Sequence, residues 1–113
     1  MEFKLTKDSD FLICLLYKEY KRKLKEGVDK SKAKSMGSSK EIHESLIGKW
    51  SFENVEETCR ELSRVDFLEV FYADGTFYTV DLTDDAIIYM ENRFSNGLQG
   101  VLDRIEQLKN IIF

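Results

Sequence analysis

The sequence predicts a small α+β fold, mostly helical, with one two-stranded hairpin. Three observations carry this. Apolar residues recur every three or four positions over four separate stretches, the signature of amphipathic helices. Asp74-Gly75 lies between two β-branched and aromatic runs, the pattern of a two-residue type I′ hairpin. N-cap residues stand just ahead of the helical stretches, at Thr6, Ser38, Ser51 and Thr83.

The first helix starts after Thr6, with Asp8 and Asp10 in the first turn where the helix dipole favours acids. Leu12, Leu15, Leu16, Tyr20 and Leu24 form its apolar face, and Gly27 supplies the stop. Residues 28–39 are rich in Lys and Ser. Ala33 and Met36 leave room there for a short helix closed by Gly37, with a mobile loop as the alternative. Ser38 and Glu41 have capping-box spacing ahead of a short helix carrying Ile42, Leu46 and Ile47, broken at Gly48.

Ser51 caps the next helix, which runs to about Val65 with Phe52, Val55, Cys59 and Leu62 along its buried face. Its outward side chains are then Glu53, Asn54, Glu56, Glu57, Arg60, Glu61 and Arg64. Residues 68–72 and 77–82 are the hairpin strands. Their aromatics, Phe71, Tyr72, Phe77 and Tyr78, are expected to pack in part on the first and last helices, with the other half exposed. Thr83 caps a final helical region with Asp84 and Asp85 in its first turn. From Ile87 to Ile112 the apolar spacing passes through Ser95-Asn96-Gly97 without a slip, so one long helix and two shorter ones are both compatible.

This order of helices, capped helix and tight hairpin is that of a winged helix-turn-helix, in which the hairpin is the wing. Residues 52–68 resemble the third helix of a winged helix entering its first wing strand. Residues 82–91 resemble the "LT-x-x-G-x-x-Y-L" opening of the helix after a wing, with Ala86 in place of the glycine. Through Tyr89, Glu91, Asn92, Ser95, Val101, Ile105, Leu108 and Lys109, the chain is similar to the YjcQ-like group of small winged-helix proteins of Gram-positive bacteria and their prophages. The resemblance implies a phage-associated regulator or accessory protein.

At 113 residues a single domain, 1–113, is expected, and 42% hydrophobic with 34% charged residues is ordinary for a globular chain. The longest apolar run, residues 11–17, is too short to span a bilayer, which takes about 20 residues. The flanking charges and the lack of a cleavage site also argue against a signal peptide, so a cytoplasmic protein without membrane contact is expected. Cys14, Cys59 and His43 do not make up a metal set, and both thiols fall on apolar helix faces as small core side chains. No phosphate loop or nucleophile motif is present, so the expectation is a binding module without cofactor or catalysis.

Charge gives the best clue to a partner. The net charge is −4, yet residues 18–40 hold nine basic and three acidic residues, a local +6 that leaves −10 for the rest. Lys21, Arg22, Lys25, Lys30, Lys32, Lys34 and Lys40 are therefore the candidates for contacting the phosphates of double-stranded DNA. Asn54 and Arg60 are the candidates for reading adenine and guanine edges, with Arg64 a further DNA-binding candidate, although the glutamates around them suit a phosphate surface poorly. The alternative is a protein-docking module whose acidic face meets a basic partner. Leu98, Val101, Leu102, Ile105, Leu108 and Ile112 form an apolar stripe that could pair two copies into a homodimer or pack on its own domain.

Overall fold

The computed structural model describes residues 4–113, so the first three residues of the expected domain lie outside it. It is a mostly helical α+β fold built on one long helix. Helix α1 (Lys7–Lys25) is capped by Thr6, whose hydroxyl accepts the Ser9 N–H at 3.0 Å. Phe11, Leu12, Ile13, Cys14, Leu16 and Tyr17 are all buried, so the middle of α1 is covered all round rather than along a stripe. A helix apolar on every side belongs at the centre of a core. Gly27, at φ +88°, ends it: the Val28 N–H reaches the Lys23 carbonyl and the Gly27 N–H the Leu24 carbonyl, a left-handed helix stop.

The segment left open as a short helix or a loop is neither throughout. Helix α2 (Lys30–Ala33) is a single turn. The chain beyond it then extends along the hairpin. Met36 donates to the Val80 carbonyl, Val80 to the Gly37 carbonyl and Leu82 to the Lys34 carbonyl, at 2.8–2.9 Å. The segment extends there because the free edge of β2 has both N–H and C=O groups that need partners: Met36 donates to a carbonyl, and Gly37 and Lys34 accept the N–H groups. Ala33 and Met36 are both buried there.

Helix α3 (Ser39–Leu46) carries the full capping box of Ser38 and Glu41. Helix α4 (Phe52–Arg64) starts at Ser51, whose hydroxyl accepts the Asn54 N–H. Val55, Cys59 and Leu62 are buried as expected, but Phe52 is 37% exposed and meets the His43 ring edge-on instead of the core. Strands β1 (Leu68–Ala73) and β2 (Thr76–Leu82) pair antiparallel, with Ala73 opposite Thr76 across Asp74-Gly75. Both turn residues have positive φ, as a type I′ turn requires. The hairpin packs mainly against α3 and α4 rather than against the first and last helices. A bulge at Phe71/Tyr72 shifts the register, and of the four hairpin aromatics only Phe77 is buried.

The C-terminal region is two helices, α5 (Asp84–Arg93) and α6 (Leu98–Ile112). The break falls at the suspected Ser95-Asn96-Gly97, where Gly97 takes φ +68° and ψ −140°. Val101, Ile105 and Leu108 are buried where α6 packs along α1. No helix among the described residues is long and apolar enough to cross a membrane.

Candidate nucleic-acid interface

The last turns of α1 and the short α2 bring most of the basic candidates together. Lys21, Arg22 and Lys25 stand on α1, and Lys30, Lys32 and Lys34 on or just after α2. Lys23 ties the two parts by donating its ammonium to the Ser35 carbonyl at 2.6 Å. Lys25, Lys30 and Lys32 are exposed and Lys21 half-exposed, and none of the four makes an ion pair among the described residues. Two other candidates are already engaged. Arg22 bridges Glu19 and Glu26 on its own helix, which raises its pKa, the Glu19 hydrogen bond contributing most. Lys34 pairs with Asp84 at the start of α5, and its pKa is raised by that hydrogen bond. Lys40 is exposed but sits on the first turn of α3, a separate element.

The cleft beside α2 is mixed in charge. Lys32 and Lys34 line it together with Glu69, Asp81 and Asp84.

Helix α4 presents a different face from the one read in the sequence. Glu56 does not point outward. It is 9% exposed and accepts hydrogen bonds from Ser39 Oγ (2.8 Å), Thr76 Oγ1 (2.6 Å) and the Phe77 N–H (3.2 Å). Burial by itself raises its pKa, but the hydrogen bonds from Thr76, Ser39 and Phe77 outweigh this and hold it below the usual glutamate value. Phe52, Glu56 and Cys59 share the i, i+4, i+7 spacing, so the pattern admits a buried Glu56 as readily as a buried Val55 stripe. Its fitness for burial comes from donors on α3 and β2, which no local pattern shows. Glu61 is half-buried and accepts from Thr6 and Ser9 of α1.

Two of the three α4 candidates are engaged by one carboxylate. Arg60 donates to Glu57 at 2.9 Å and lies 5.3 Å above the Phe77 ring. Arg64 reaches the other oxygen of Glu57 at 3.4 Å. Asn54 is half-buried at the start of the helix, and its backbone carbonyl accepts from Thr58 Oγ1, a bond that does not involve the side-chain amide. Glu57 bonds both guanidiniums, so the three groups together carry one net positive charge, and Glu53 is the exposed, unpaired acid of the first turn among the described residues.

A second buried carboxylate was hidden from sequence reading. Asp10, taken as a first-turn acid, is 5% exposed and receives both Arg93 of α5 and Arg104 of α6. Burial raises its pKa, but the hydrogen bonds and charges of the two arginines lower it further, to a net depression. Cys14 and Cys59 are buried thiols, each pushed up to about 12, first by burial and then by the neighbouring carboxylates Asp10 and Glu56. His43 is occupied structurally, its Nε2 2.7 Å from the Trp50 carbonyl.

The proposed pairing stripe is largely consumed inside the chain. Val101 and Leu108 are fully buried and Ile105 nearly so, while Leu102 and Ile112 are half-buried and Leu98 exposed. Val101, Ile105 and Leu108 of that stripe hold α6 to α1, while Leu98, Leu102 and Ile112 keep solvent-facing surface. Neither the sequence nor the fold matches a protein-family model, a curated protein or a solved structure.

Proposed function

We propose that the protein is a cytoplasmic winged-helix regulator that contacts the phosphates of duplex DNA through the end of α1 and α2. The observation that carries this reading is the group Lys21, Lys25, Lys30 and Lys32, cationic, accessible or half-accessible, and in no ion pair among the described residues. The winged-helix part draws support from the succession of α1, the extended 34–37 segment, α3, α4 and the hairpin, with that segment completing a third strand position beside β2. Sequence reading by α4 is a minor part of the proposal, because Arg60 and Arg64 are held by Glu57.

Fluorescence anisotropy of a labelled random duplex tests it. Four phosphate contacts give a plot of log affinity against log salt with a slope between about −3 and −4. Changing Lys21, Lys25, Lys30 and Lys32 together to Glu abolishes the binding. Absence of binding at low salt, or binding indifferent to the four changes, overturns the reading.

One observation favours a second reading, a module that docks on a basic protein. Phe71, Tyr72 and Tyr78 are 61%, 51% and 46% exposed on the hairpin, near the acids Glu69 and Asp74. That reading predicts no affinity for bare duplex at any salt, so the same titration separates the two.

A further inference from the structure

We propose that the groove between α1, the 47–49 loop and α6 binds an anionic amphiphile, a small organic acid with an alkyl or aryl tail. Its floor is apolar: Phe11, Leu15, Ile47, Ile105 and Phe113 line it, with Leu46 at one side. Its rim carries Lys18, Lys49 and Lys109, one lysine from each of the three walls. The lining contains no Asp or Glu, and none of these lysines forms an ion pair among the described residues. The mixed cleft beside α2, by contrast, sets three acids against two lysines.

Three lysines around an apolar cleft whose lining holds no Asp or Glu make it a favourable place for a negative charge. A carboxylate head accounts for the lysines, and a tail accounts for the floor. The cavity, about 310 Å³, lies at the small end of ligand-binding sites and suits a medium-length chain rather than a partner helix. Lys49 is held at the rim by the Phe113 ring, 5.4 Å from its ammonium, and Phe113 in turn meets Phe11 edge-on at 5.7 Å. The site does not depend on the DNA reading, since it uses none of the α2 lysines.

The test is an amide-resolved NMR titration of the ¹⁵N-labelled chain with decanoate below its micelle concentration, beside decanol and decyltrimethylammonium. Binding at the groove moves the amides of Leu15, Lys18, Ile47, Lys49 and Lys109, most strongly with decanoate and least with the cation. Replacing the three surface lysines by Gln leaves the fold intact and weakens decanoate about tenfold, as the loss of three exposed charge contacts entails. The proposal is overturned by unmoved groove amides at millimolar decanoate, by equal binding of all three amphiphiles, by a lysine-to-Gln variant that binds as well as the parent, or by shifts centred on the hairpin aromatics.

Discussion

Glu56 shows how one side chain joins parts of the chain that are distant in sequence. Its carboxylate collects a hydroxyl from α3, a hydroxyl from β2 and a backbone N–H from β2, so it fixes the hairpin on the helices. Removing it takes away three hydrogen bonds, each worth on the order of 1 kcal/mol, and leaves the Phe77 N–H without this acceptor. Glu56→Ala is expected to lower stability by about 2–3 kcal/mol in urea denaturation. The isosteric Glu56→Gln adds a pH signature. Because the folded-state pKa is depressed, the carboxylate's contribution is complete above the unfolded value, about 4.3, and is lost as pH falls through the lower folded value. The stability gap between parent and Glu56→Gln should therefore narrow on acidification from neutral pH to about 3. A gap that stays constant would show that the charge on Glu56 contributes nothing.

Among the elements, α6 and the break before it respond most clearly to substitution. Leu108 is fully buried between α6 and α1, so Leu108→Ala should cost about 2–4 kcal/mol through the cavity it leaves. Its effect belongs to the fold of one chain: light scattering should report the same mass for parent and variant, measured under conditions where both are folded. A drop in mass on substitution would restore the stripe as a contact between copies. The break itself depends on Gly97, whose φ of +68° with ψ of −140° is a region that side chains with a Cβ avoid. Gly97→Ala should lose about 1–3 kcal/mol even though the space around it is open, since the cost is backbone strain. A neutral Gly97→Ala would mean that the two helices can join or shift without penalty.

At the scale of the whole molecule, α1 is the axis on which the other helices are assembled, and Asp10 joins its first turn to both C-terminal helices. Arg93 and Arg104 keep some solvent contact, so the loss on Asp10→Asn is set below that of a fully buried pair, at about 2–3 kcal/mol. Because the bond spans three elements, the variant should still unfold in one transition at a lower midpoint, followed by near- and far-ultraviolet circular dichroism together. Separate transitions would show that α6 comes away on its own. The charge distribution is the other molecular property: a net −4 chain concentrates its accessible, unpaired lysines at the α1–α2 end and around the groove beside α6.

The sequence by itself determined what depends on neighbouring residues. The caps at Thr6, Ser38, Ser51 and Thr83, the Asp74-Gly75 turn and the weak point at Gly97 all rest on backbone preferences within a few positions, and the structure places them where they were read. Only the tertiary structure decided which side chains are buried and which cations are free. Asp10 meets partners 83 and 94 positions away, and Glu56 takes donors 17 to 21 positions away. Met36 leaves its helix for an edge supplied by β2, and Val101, Ile105 and Leu108 are covered by α1. Local pattern says that a residue can be covered, but burial, hydrogen bonding and charge pairing are fixed by the element that does the covering, and that element is chosen by packing across the whole chain.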